Sequence, residues 1–258
     1  MHHACPFLAA CLFLASACSA PSASIAPAYG SYGLGGEFSA TDGGASASSS
    51  MSSLGLDDAT GGFSPRADLA FLGFDLSLSA LSTSLDGSGT TEGDIVIGGS
   101  TISGGANVDT DMSIDTFSGV VTWDLIPTDL VDFGLGVGVT VVSLDMEMEE
   151  TVGGTSIETD ETIPIPLLAA RGSVGIGDFE VLGRVGYMNL SVGGTDVTFV
   201  DYDIALMYHL FGGSTHGAGN LAIGYRGFDL DAEYDDGGST IEADFTLDGP
   251  YVGLSISF

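Results

Sequence analysis

The sequence predicts an all-β fold: eight antiparallel strands wound up and down into a closed transmembrane barrel, with a ten-stranded ring as the alternative. Three observations carry this. Apolar residues recur with period two along most of the chain after position 66, the spacing of strands rather than helices. Several of these runs span roughly 15–20 residues, against the ~5–6 usual for strands in soluble proteins. The breaks between runs alternate between tight turns and longer polar segments, as consecutive hairpins require.

The first twenty residues stand apart. They hold no charged side chain, and Phe7 to Leu14 is an apolar run of signal-peptide length followed by small residues. It is too short to cross a bilayer as a helix, which takes ~20 residues. Ala15-Ser16-Ala17 and Cys18-Ser19-Ala20 both suit cleavage, so 1–20 reads as a secretory signal. All three cysteines lie in it, which leaves the mature chain without a disulfide framework. Ala15-Ser16-Ala17-Cys18 also resembles a lipoprotein processing site, with the expected leucine displaced by one position to Leu14.

Residues 21–66 are mostly Ser, Ala, Gly and Asp, and read as a linker or a weak N-terminal hairpin near 32–56. The barrel is expected over 67–258. Its candidate strands are 67–86, 107–126, 130–148, 161–175, 179–191, 197–211, 220–234 and 240–258. "DFGLGVGVTV" (132–141) is the clearest, with Phe133, Leu135, Val137, Val139 and Val141 alternating with glycine and threonine. The alternation slips near Leu167-Leu168, Gly227 and Gly249-Pro250, where β-bulges are expected. Aromatic residues gather towards strand ends: Phe133, Phe179 and Phe258 near the short turns, Tyr187 and Phe199 towards the opposite end. That is the placement of membrane-interface girdles.

Composition narrows the function. The 258 residues carry 35 acidic side chains against four basic ones, a formal net charge of −31. The four are Arg66, Arg171, Arg184 and Arg226; there is no lysine. Nucleic-acid binding needs basic patches, so it is excluded. A mean hydropathy of +0.37 argues against a disordered acidic chain. Outside the signal only His209 and His216 remain, both near predicted short-turn ends, so a Ser–His–acid enzyme is not expected. No cofactor is expected either: "GLGVG" (134–138) precedes no helix and is no dinucleotide site.

The chain ends on "PYVGLSISF", with Val252, Leu254, Ile256 and Phe258 on one face. A final strand that ends on an apolar residue suits pairing with the first strand, which removes both sheet edges. Here a resemblance emerges. Tyr251, Val252, Leu254, Ile256 and Phe258 resemble the C-terminal signature of bacterial outer-membrane β-barrels. With the signal peptide and the even strand count, the chain is similar in architecture to small barrels of the OmpA, OmpX and OmpW type. The resemblance implies an outer-membrane location, both ends in the periplasm, lipid as surroundings, and reading of the last strand by the outer-membrane assembly machinery.

If the apolar faces meet lipid, the alternate faces line the interior. Arg171, Arg184 and Arg226 are then expected to form a lumenal network with Glu180, Asp201 and Asp203, because charges buried in a wall must be paired. Acidic breaks at Asp109, Asp111 and Asp115, at Glu147 to Glu161, and at Asp231 to Asp236 could hold divalent cations, although none has the spacing of a known calcium loop. The expected role is structural or surface-interactive. The rivals are a narrow cation or small-solute channel, and a secreted soluble barrel that binds an apolar ligand.

Overall fold

The computed structural model describes residues 21–42, 45–97, 100–128, 130–192, 194–213, 217–235 and 239–258. The signal region with Ala15, Ala17, Cys18 and Ala20 lies outside the described residues, as do His216 and Asp236. Fifteen strands are seen among them. The first five are short or broken: β1 (Ser22–Ala26), β2 (Ala28–Asp42), β3 (Ala45–Ser50), β4 (Thr60–Phe63) and β5 (Arg66–Phe71). Then come β6 (Phe74–Thr90), a small hairpin of β7 (Ile95–Ile97) and β8 (Ser100–Ile102), and the long strands β9 (Asn107–Pro127), β10 (Val131–Glu150) and β11 (Ser156–Ile176). The rest are β12 (Phe179–Val192), β13 (Thr195–Gly213), β14 (Gly217–Asp235) and β15 (Ser239–Ser257).

The sheet closes on itself. Neighbours run β6–β9–β10–β11–β12–β13–β14–β15, all antiparallel. The gap between β15 and β6 is filled by two broken strands. β1 and β2 form one, interrupted at Pro27; β4 and β5 form the other, interrupted at Ser64-Pro65. A proline has no N–H for the ladder, so each break falls where pairing must lapse. The ring therefore has ten strand positions among the described residues, and eight is corrected to ten. The supposed linker supplies the two extra positions: the wall begins at Ser22 rather than at 67. Closure reaches the last residue, since Phe258 N donates to Ala23 O at 2.8 Å.

Each long strand keeps one inward and one outward set of side chains, but the chemistry of the two sets exchanges partway along. On β9 the outward residues run Asp109, Asp111, Asp115, then Phe117, Val121 and Trp123. The inward ones run Val108, Met112 and Ile114, then Thr116, Ser118 and Thr122, all buried. So the half near the short turns is apolar outside and polar inside. The far half is acidic outside and apolar inside.

This exchange explains the expected bulges. Leu167 is buried in the core while Leu168 is 67% exposed on the outer wall, and the ladder to β10 runs through both without a shift. On β14, Phe228 and Leu230 face the core while Ile223 and Tyr225 face out. On β15 Leu247 is inside, with Val252 and Leu254 outside. The apolar face changes sides at these points and the register does not. The actual register shifts fall at Phe133/Gly134 and His209/Phe211.

The far half is filled like a soluble core. Tyr32, Leu34, Leu81, Leu85, Ile114, Val142, Met148 and Leu247 converge there, each 3% exposed or less. The turn after β3 folds into the same cluster through Met51, Leu54 and Leu56. Its backbone is tied down by Thr90 N donating to Ser53 O at 2.8 Å. Phe199, expected in an outer girdle, is instead fully buried and stacks on Phe228 at 5.6 Å. Tyr187 does face out, and Phe179 packs on Tyr208 at the short-turn end.

Candidate functional site

The polar half of the interior holds all four arginines of the chain. Each comes from an inward position on a different strand: Arg66 on β5, Arg171 on β11, Arg184 on β12 and Arg226 on β14. Neighbouring strands bring Arg171, Arg184, Asp203 and Arg226 into one lateral row, each opposite the next. Gly134, opposite Arg171, leaves room for it: a Cβ there would sit 3.4 Å from Arg171 Nε.

The ion pairs form two groups. In the first, Arg66 Nη1 donates to Asp203 Oδ2 at 2.8 Å and Arg66 Nε to Asp68 Oδ2 at 3.3 Å. Arg184 Nη2 donates to Asp68 Oδ1 at 2.7 Å, and Arg184 Nη1 to Ser77 Oγ at 2.5 Å. Tyr251 completes this group by donating to Asp203 Oδ1 at 2.6 Å. In the second, Arg171 donates to Asp132 Oδ2 at 2.9 Å, to Asp124, and through Nε to Thr122 Oγ1 at 2.9 Å. Charge-assisted bonds of this kind offset part of the desolvation that burial imposes.

The expected network residues are thus placed as follows. Arg171, Arg184 and Asp203 are engaged as above, but with partners the sequence reading did not name. Arg226 is 6% exposed and donates to Ala80 O at 2.8 Å and Ser79 Oγ at 3.3 Å; no carboxylate lies within 4 Å of it among the described residues. Asp201 accepts from Ser118 Oγ at 3.2 Å. Glu180 lines the cavity below the network and makes no ion pair among the described residues. Asp75, Asp124 and Asp132 were read as inward-facing but not as network members, while Arg66 and Asp68 were missed altogether. For Arg66 the cause is the misplaced start of the barrel; for Asp68 it is that the expected strand 67–86 is two strands, β5 and β6, with a turn at Leu72-Gly73 between them.

The C-terminal residues divide between the two faces. Val252, Leu254, Ile256 and Phe258 are 42–68% exposed on the outer wall. Tyr251 points inward, 7% exposed, and belongs to the charge network. His209 sits at the short-turn end with Nδ1 3.1 Å from Asn220 Oδ1 and Nε2 3.2 Å from Gly212 O.

Outside, the apolar half forms a belt around the ring. Ile25, Phe63, Leu78, Val121, Val137, Leu168, Val181, Ile204, Ile223 and Val252 supply it, one per ring position, each 39–67% exposed. A continuous exposed surface of this kind is rare on a soluble monomer. A closed antiparallel ring, a belt of apolar side chains and a charged interior are the three requirements of a lipid-embedded barrel. This is the architecture of an outer-membrane β-barrel.

Solved structures of outer-membrane proteins align with most of the chain at low similarity. The outer membrane protease OmpT from Escherichia coli aligns over 91% of this chain and 97% of its own, at 13% identity and a TM-score of 0.49. The attachment invasion protein Ail of Yersinia pestis aligns over 90% and 99%, at 9% identity and a TM-score of 0.30. The translocator domain of the autotransporter NalP from Neisseria meningitidis aligns over 94% of each chain, at 11% identity and a TM-score of 0.35. No family pattern and no curated protein matches the sequence. The architecture therefore rests on the barrel's own closure and belt.

Above the belt the outer wall is acidic. Asp86, Asp111, Glu147 and Glu158 stand directly opposite one another across β6, β9, β10 and β11. A second group crosses β13, β14 and β15 as Asp196, Glu233 and Glu242, with Asp231, Asp244 and Glu37 beside it. The acidic segments expected as loops are thus largely strand surface. No group of three or more metal-ligating side chains converges among the described residues.

Proposed function

We propose that the chain is an integral outer-membrane barrel with a structural and surface-facing role. Its short turns and both chain ends face the periplasm, and its acidic collar stands outside the cell. The observation that carries this is the filled far half. Met51, Leu54 and Leu56 sit with the inward residues of the wall in one apolar core, each 2% exposed or less. An interior packed in this way supports a closed body rather than a conduit, and the collar is then what the protein offers its surroundings. The outward Val252, Leu254 and Ile256 of β15 support delivery through the assembly machinery of that membrane.

Planar-bilayer recording on the refolded barrel tests the proposal. The expected result is no stepwise current at either polarity. Discrete, reproducible steps would overturn it and favour a channel. Protease treatment of intact cells adds the orientation: cleavage is expected in the far-half connections and not at the short turns.

A further inference from the structure

One seam of the wall is left unjoined in its far half. β11 and β12 pair from Ile176 opposite Phe179 up to Leu168 opposite Tyr187, and no further pair joins them among the described residues. Above that point β11 continues to Ser156 paired with β10, and β12 continues to Val192 paired with β13. The cause is in the sequence. The β10–β11 ladder runs through Pro164 and Pro166, opposite Val141 and Val139, without a shift. A proline has no N–H to give that ladder, so both nitrogens face the β12 side, as prolines do on an edge strand. The donors that β12 would need there are missing.

The gap uncovers apolar side chains of the inward set. Ile163 stands opposite Val142, which is 1% exposed, yet Ile163 is 43% exposed. Leu190 stands opposite Val197, which packs against the core, yet Leu190 is 50% exposed. Ile165 and Phe199, next along the same inward rows, are buried. The hairpin of β7 and β8 comes up to β11 but leaves Ile163 open. The result is a slot in the side of the barrel with the apolar core at its back.

The slot begins at the rim of the belt. Leu168 and Tyr187, its last paired residues, both face outward. From Ile176 to Pro164 the outward residues of β11 are all apolar or glycine. Those steps, at ~3.3 Å each and tilted ~45°, rise roughly 28 Å, close to the ~25 Å apolar band of such barrels. The two prolines therefore stand at the upper rim of that band, beside the leaflet on the collar's side.

We infer that one acyl chain from a lipid of that leaflet lies in the slot, against Ile163 and Leu190. The slot is continuous with the lipid-facing belt, so acyl chains are the apolar material at its mouth. A strand from another chain fits it poorly, because the edge it would pair with has no donor at Pro164 or Pro166. Covering Ile163 and Leu190 takes apolar surface away from water, which drives the chain in. The inference rests on the belt and is independent of the orientation proposed above.

Photolabelling tests it. The full barrel is reconstituted in phosphatidylcholine vesicles that contain a small fraction of phosphatidylcholine with a diazirine at the end of one acyl chain. After irradiation, mass spectrometry locates the label. Outward belt residues such as Val137 and Val252 are expected to be labelled, and so are the inward Ile163, Met188 and Leu190. Ile163→Asn with Leu190→Asn is expected to remove most of the label on Met188 and to leave the belt label unchanged. Both replaced side chains are half exposed, and heat-dependent gel mobility checks that the variant forms a barrel. Label confined to outward residues of the parent protein would overturn the inference while the belt stands. Label on Met188 that persists in the folded double variant would also overturn it. So would barrels cross-linked to one another through β11 with the inward residues unlabelled, because a second copy would then fill the slot. A belt left unlabelled as well would overturn both this inference and the lipid-facing wall.

Discussion

Replacing Asp111 with Asn and Glu147 with Gln is expected to stabilise the barrel in dilute salt and to do almost nothing in concentrated salt. These two residues are the middle of the row Asp86–Asp111–Glu147–Glu158, so the pair of changes abolishes all three like-charge contacts in it. Directly opposed side chains on neighbouring strands have Cβ atoms ~5 Å apart, and like charges there destabilise a sheet. With the carboxylates splayed to ~6 Å in water, each contact costs about 0.7 kcal/mol, or about 2 kcal/mol for the row. No protein cation relieves this, because the chain has no lysine and its four arginines are all in the interior. Relief has to come from dissolved ions. The screening length is ~30 Å at 0.01 M salt and ~3 Å at 1 M, so the cost falls from about 1.7 kcal/mol to roughly 0.3 kcal/mol. Urea unfolding in detergent, with a chelator present and sodium chloride varied, measures both numbers. A double variant no more stable than the parent at low salt, or a gain of equal size at every salt concentration, would refute the reasoning.

Three further expectations concern the interior. Leu54→Ala removes a fully buried side chain from the turn that fills the far half and is expected to cost about 2–5 kcal/mol, read as a lower urea midpoint. Arg171→Ala strands Asp124 and Asp132 and is expected to cost about 3–5 kcal/mol, enough to reduce the heat-resistant gel form. Gly36→Ala puts a Cβ 1.9 Å from Asp244 O at a φ of +115°, and is expected to lower the yield of folded barrel at the seam between β2 and β15.

The sequence made β6 and β9 to β15 legible because their period-two pattern runs unbroken for many residues, with short turns between. It concealed β1 to β5 because serine, alanine and glycine give no hydrophobic contrast, and because Pro27 and Pro65 cut two wall strands into pieces too short to show a period. Arg66 was lost to the interior for that reason; Asp68 was lost because 67–86 reads as one strand although the chain turns at Leu72-Gly73 between β5 and β6. A subtler obstacle is that an alternating pattern does not say which face is inside. Leu167 and Leu168 look like a slip in one strand, yet one faces the core and the other the outer wall. The pattern keeps its period while its meaning inverts, and only the closed ring settles which side is which. The inward direction of Arg171, Arg184 and Asp203 was readable from the lower half of the wall. The partners of Arg184 and Asp203 were not, since Asp68 and Arg66 reach them across the interior from distant parts of the chain, whereas Arg171 takes Asp132 and Asp124 from the nearby β10 and β9.

The most direct test of a lipid-facing belt uses the single tryptophan. Trp123 faces outward on β9, 48% exposed, with its ring 5.0 Å from that of Phe74. The parent protein, reconstituted into vesicles, needs no substitution for this experiment. Lipids brominated along the acyl chain are expected to quench most of its fluorescence, and iodide in the water to quench little. Fluorescence that iodide quenches and brominated lipid leaves intact would contradict the account, because the apolar belt would then face water.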